Sequence, residues 1–133
     1  MIDLVCGVSH AVKTLDPEAR VYINIGSAMN MLYDERLLSC IDGVLREELW
    51  SRLGPSGPEP QDPRETVEAL DALVYAHSRG KTVLVADPVA GREEAEGFCR
   101  RAWSHGFVPI PQPAWAADYS VPPPRDWCRC SQG

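Results

Sequence analysis

Gly80-Lys81-Thr82-Val83-Leu84-Val85-Ala86-Asp87 reads as a buried strand, glycine first and acid last. The run is β-branched and aliphatic without polar interruption, as strands in a covered parallel sheet are. Before it, Val67, Leu70, Val74 and His77 recur at spacings of three and four, the period of a helix face. Asp62-Pro63 supplies a cap and a first-turn proline for that helix, and Gly80 stops it. After the strand, Gly91 to His105 places Ala95, Phe98, Cys99 and Ala102 on one helical face, with Gly106 as its stop. Phe107-Val108-Pro109-Ile110 reads as a last short strand.

Toward the N-terminus, Ile41–Leu45 and Val21–Ile25 read as two more strands. Val5, Val8, Val12 and Leu15 mark one face of a first helix, which Asp16-Pro17 ends. Strands that alternate with helices predict an α/β fold with a parallel sheet, in which Val21–Ile25, Ile41–Leu45 and Val83–Ala86 lie side by side. Gly54 to Pro63 reads GPSGPEPQDP, which cannot be helix or central strand and is read as a long loop. From Pro111 onward periodicity fades, and Pro122-Pro123-Pro124 predicts an extended surface tail. The expected division is an α/β domain over 1–113 and a proline-rich tail over 114–133.

A chain of 133 residues fits one domain, and 44% hydrophobic with 24% charged residues is ordinary for a globular protein. Thirteen basic against nineteen acidic residues give a net charge of −6. That balance argues against a nucleic-acid partner, which needs a basic face, and against binding an anionic membrane. No run reaches the roughly 18 apolar residues of a membrane span. Asp3 stands where a secretory signal would carry basic residues. Five scattered cysteines (Cys6, Cys40, Cys99, Cys128, Cys130) read as a poor disulfide framework. Nucleotide-binding glycine motifs and H-E-x-x-H are missing, so no cofactor and no metal is expected. Cys128-Arg129-Cys130 is half of a zinc-site pattern without a second pair.

In parallel α/β sheets, ligands bind at the carboxyl ends of the strands. Asn24 lies within the first strand, Ser27 follows it, Arg46, Glu47 and Glu48 follow the second, and Asp87 ends the third. Two acids meeting across one mouth would be the pair that glycosidic cleavage needs, one protonating the leaving oxygen and one attacking or activating water. The plainer readings stand beside this. Glu47 and Glu48 can be solvated acids at a helix start, and Asp87 before Pro88 a strand-ending turn residue. Asp42 before Gly43 reads as a structural turn acid. His10 and His77 read as packing or surface residues, and His105 as a cation favoured by a helix end. Trp103, Trp115 and Trp127 can stack on sugars, with packing as the default.

The order Ile41-Asp42-Gly43-Val44-Leu45-Arg46-Glu47, long loop, helix, Gly80-Lys81-Thr82-Val83-Leu84-Val85-Ala86-Asp87, helix, Gly106-Phe107-Val108-Pro109 resembles the second half of the endo-α-1,4-polygalactosaminidase-like proteins, glycoside hydrolase family 114. The resemblance covers about Ile2 to Pro111. It implies strands five to eight of a (β/α)8 barrel, a fold that usually takes about 250 residues. The family's first half, with its own acid, has no counterpart here, and Pro88 stands where the family has tyrosine.

By this resemblance Glu47 and Asp87 are the catalytic carboxylates, Glu47 foremost, with Asp87 supporting it through substrate binding or a charge that raises its pKa. Asn24 and Arg46 are substrate-binding, Asn24 on a sugar hydroxyl. The substrate implied is an amino-sugar polysaccharide of galactosamine type, and family members are often extracellular. Four strands leave two open edges, so association with a second copy or another chain is expected. The rival readings are a non-catalytic half-barrel that binds a glycan or a partner chain, and a small α/β enzyme of other chemistry.

Overall fold

The computed structural model describes residues 1–116, 118 and 120–128. Helix α1 (Ile2–Leu15) leads to strand β1 (Tyr22–Asn24), a 3-10 turn at Met29–Tyr33 and helix α2 (Glu35–Cys40). Strand β2 (Gly43–Glu47) follows, then a pair of short strands, β3 (Ser51–Gly54) and β4 (Gly57–Pro60). Helix α3 (Pro63–Ser78), strand β5 (Thr82–Val89), helix α4 (Arg92–Ser104) and strand β6 (Val108–Pro113) come next, and a 3-10 turn at Ala114–Ala116 follows β6. The main sheet runs β1-β2-β5-β6, every neighbouring pair parallel, as the alternation of strand and helix requires. The three strands expected side by side are adjacent.

Among the described residues, only one face of this sheet is packed by helices. In β2 and β5, Val44, Val83 and Val85 are buried against Leu73, Ala69 and Ala76 of α3 and Ala95, Cys99 and Ala102 of α4. The alanines let both helices lie close to the strands. Residues of the opposite parity are more open: Tyr22 is 43% and Val108 45% exposed, and Leu45, Leu84 and Ile110 are half-buried. An all-parallel sheet covered on one side is what a barrel wall presents; a doubly wound sheet is covered on both.

The capping expectations hold in detail. Asp62 accepts the Arg64 N–H at 2.8 Å with Pro63 in the first turn, and Gly80 and Gly106 end α3 and α4 at positive φ. Gly43 is required by close approach, because a Cβ there would lie 2.6 Å from the Thr82 carbonyl oxygen of the neighbouring strand.

Four expectations need correction. The proline-rich stretch after Gly54 is not a plain loop: Ser51–Gly54 and Gly57–Pro60 form an antiparallel hairpin. A two-stranded hairpin has only edge strands, so Pro58 and Pro60 sit where a missing N–H costs no ladder bond. The cysteines do pair, Cys6 with Cys40 and Cys99 with Cys128, with Cα separations of 5.0 and 5.7 Å. Sequence separations of 34 and 29 residues hid partners that the helix packing brings together. The second bridge pins residues after Pro124 to α4, and Trp127 packs on the core, so this part of the tail is fastened to the domain. Cys130 lies outside the described residues, so the half zinc motif has no geometry here. Finally, α1 packs through Ile2, Val5 and Ser9, while Leu4, Val8, Val12 and Leu15 form an exposed apolar stripe. The helix touches chiefly α2, and no described element covers the other side.

Asp42 has the structural role read from its place before Gly43. Its Oδ2 accepts the Val21 N–H at 2.7 Å, and the Lys13 ammonium lies 3.0 Å away. One carboxylate thereby joins α1, the start of β1 and the start of β2. Burial pulls its pKa upward, but the Val21 amide and Lys13 outweigh that and hold it below the ordinary value. A carboxylate depressed in the folded state adds stability above its unfolded pKa and loses it as pH falls through the folded one. Asp42→Asn is therefore expected to cost about 1–2 kcal/mol near neutral pH. Urea unfolding as a function of pH checks this: the gap between wild type and variant should shrink below about pH 4, and a constant gap would contradict the assignment.

Candidate functional site

Side chains alternate along a strand, and in β2 that alternation sorts the candidate residues. Val44 and Arg46 turn to the helices, Leu45 and Glu47 to the open face. The register sets Asn24 beside Leu45 and Ala86 beside Glu47. Across this open face the Asn24 amide donates to Glu47 Oε2 at 2.9 Å. The structure thus brings Asn24 and Glu47 together at the carboxyl end of parallel strands, where a carboxylate can meet a ligand and a neighbouring amide can orient it.

Asp87 follows Ala86 by one residue, so its side chain turns to the other face. It is 1% exposed, and both carboxyl oxygens are engaged by backbone. Oδ1 accepts from Leu49 N at 2.7 Å; Oδ2 accepts from Trp50 N at 2.8 Å and Ser51 N at 3.0 Å. Burial pushes its pKa above the ordinary carboxylate value, against the opposing pull of the three amides and the Arg46 charge. The expectation of Glu47 and Asp87 facing one cleft is corrected: strand parity separates them, and Asp87 alone lies against the hairpin.

Arg46 shares Asp87's side of the sheet. It is 4% exposed, donates through one terminal nitrogen to the Gly26 carbonyl at 2.8 Å, and pairs with Glu65 at 2.9 Å. Its Nε is buried without a partner among the described residues. It lines a cavity of about 390 Å3 with Ser27, Asp62, Arg64 and Glu68 beside the start of α3. Arg46 therefore does not join Asn24 and Glu47. Among the described residues, no group of three or more His, Cys, Asp or Glu is placed to hold a metal ion.

Glu48 sits at the turn that ends β2, not at a helix start. Its φ of 57° is left-handed, uncommon outside glycine and costly for a side chain. The turn is held from three sides: Glu48 N–H donates to the Ala86 carbonyl at 2.9 Å, its carboxylate accepts the Leu53 N–H at 2.8 Å, and its carbonyl accepts from Gln61 Nε2 at 3.0 Å. Sequence reasoning missed this turn, buried Gln61 and the role of Trp50. Trp50 lies at a cleft of about 370 Å3 between the hairpin and α4. A usable signal was the Glu47-Glu48-Leu49-Trp50 run, in which an aromatic follows a strand end by three residues.

No protein-family model and no curated protein matches the sequence. A solved structure does match in fold: the glycoside hydrolase domain of PelA from Pseudomonas aeruginosa, with a TM-score of 0.62 and 14% identity. The alignment covers 81% of this chain and 43% of that one, so the chain spans less than half the length of the protein it matches. At this identity the likeness speaks for the fold: a four-stranded parallel sheet alternating with helices, similar to part of a glycoside hydrolase domain.

Proposed function

We propose that this chain is one wall of a carbohydrate-active barrel and serves glycoside hydrolysis, with an amino-sugar polysaccharide of galactosamine type as substrate. The observation that carries the reading is Glu47, which stands on the helix-free face at a strand end with Asn24 2.9 Å away, in a fold shared with a glycoside hydrolase domain. In this reading Glu47 is the catalytic carboxylate, Asn24 orients it and meets a sugar hydroxyl, and Asp87 positions the segment that leaves Glu47. Arg46 serves by bracing the Gly26 carbonyl and α3 from behind. The galactosamine preference rests on the motif order of the sequence.

Glycosidic cleavage uses two carboxyl groups about 5–9.5 Å apart. This chain turns Glu47 to the open face and Asp87 away from it, so the second acid comes from whatever completes the wall. The same observation favours a second reading, a half-barrel that binds a glycan or a partner chain without cleaving it.

Replacing Glu47 by Gln keeps the shape and the Asn24 contact but removes acid and nucleophile. Hydrolysis of a galactosamine polymer, followed by new reducing ends, is expected to vanish while the melting temperature stays nearly unchanged. Wild type that never cleaves would favour the binding reading, and a Glu47→Gln protein as active as wild type would end the catalytic role.

Association follows from the same bare surfaces. Tyr22, Leu45, Leu84, Val108 and Ile110 on the sheet, with Leu4, Val8, Val12 and Leu15 on α1, leave apolar area open to water. Sedimentation velocity over a concentration series is expected to show dimers or larger species. A well-folded monomer at the highest concentration would contradict it.

A further inference from the structure

The cleft between the hairpin and α4 lies behind the sheet, apart from Glu47 and Asn24. Three features make it a built cavity. Helix α4 turns Glu94, Gly97, Phe98 and Arg101 toward it, the i, i+3, i+4, i+7 face of one helix. Pro58, Glu59 and Pro60 of β4 form the facing wall, and Trp50 with buried Asp87 lies at the base. The three amides on Asp87 fix where Trp50 begins, and the Phe98 edge and the Arg101 guanidinium, 5.4 Å from the ring centre, hold the indole.

Gly97 is the feature that packing does not explain. Glycine in the middle of a helix weakens it, and a Cβ at Gly97 would meet no atom within 4 Å. Nothing in the fold needs the side chain missing. Its absence leaves the helix-side floor of the cleft open at Gly97. The volume of about 370 Å3 is in the range of small-molecule sites, which run to roughly 300–1,000 Å3.

The lining selects a chemical class. Trp50, Phe98, Pro58 and Pro60 offer apolar walls. Glu59 and Glu94 bring acceptors, Arg101 brings donors, and the mixed signs disfavour a simple ion of either charge. A pyranose presents this combination, a C–H face for the walls and hydroxyls that both donate and accept. We propose that this cleft is a second saccharide-binding site, distinct from the open face, which holds a sugar unit of a glycan chain. The inference rests on the glycan reading of the chain but not on Glu47 being catalytic.

The test titrates the wild-type protein with galactosamine oligosaccharides and, in parallel, neutral galactose oligosaccharides, and follows the Trp50 indole N–H by NMR. Saturable movement of that resonance with at least one probe is expected. Gly97→Leu fills the floor with a residue better suited to a helix, so its melting temperature should hold or rise. Its affinity should fall about tenfold or more, the scale of a blocked pocket. Glu47→Gln should bind at this cleft as wild type does. No shift of Trp50 with either probe, or unchanged affinity in folded Gly97→Leu, overturns the proposal. Wild type that binds at the cleft but never cleaves, or Glu47→Gln that binds there and still cleaves, would count against the catalytic reading alone.

Discussion

The buried Asp87 carboxylate is the constraint around which the carboxyl end of the sheet is arranged. It lies in the central strand β5 and takes the N–H groups of three successive residues, Leu49, Trp50 and Ser51. Those residues have just left β2, and their N–H groups, one buried and two half-buried, would otherwise lack these partners. Bonding them obliges the chain to turn at once after Glu47, which is why Glu48 adopts a left-handed backbone. The turn then delivers Ser51 as the first residue of the hairpin, and Gln61 closes the far end on the Glu48 carbonyl. Arg46, beside Asp87 on the same face, ties the arrangement to α3 through Glu65. A single side chain therefore sets the end of one strand, the base of a cleft and the start of a hairpin.

From this follows a division of labour between the faces of the sheet. The helix side is packed, polar at its upper end and heavily bonded there. The other side is open and carries the Asn24–Glu47 pair. A parallel sheet with one bare face is an incomplete layer structure, and the likeness to less than half of a larger domain is consistent with that. The exposed stripe on α1 is a second surface of the same kind, adjoining the end of the chain that leads into the edge strand β1.

Much of the fold was legible because strand and helix periods differ. Thr82–Asp87 and the alanine-bearing faces of α3 and α4 identify themselves from spacing, and Asp62, Gly80 and Gly106 mark ends through local chemistry that needs no tertiary knowledge. The hairpin was not legible, since proline content argues against central strands and is silent about isolated pairs. The disulfides were not, because pairing depends on which helices meet. Glu47 and Asn24 are legible in the sequence as polar groups near strand ends, and the structure places them together on the open face. Their separation from Asp87 and Arg46 turns on the parity of single residues within strands, which a list of polar groups near strand ends does not resolve. Asp87 shows the cost of that: the residue type suited catalysis, while its surroundings make it an acceptor for the backbone.

The most direct test is amide hydrogen exchange at Leu49, Trp50 and Ser51, residue by residue, in the wild type and in Asp87→Asn. These three amides should be protected to the level of the β2 and β5 ladder although none of them belongs to it, and the substitution, which keeps one acceptor oxygen and puts an amide donor in place of the other, should release those bonded on the donor side while β1 and β2 remain protected. Exchange of all three at the rate of an exposed loop in the wild type would contradict this, because the Asp87 carboxylate would then not be what holds the chain beyond Glu47.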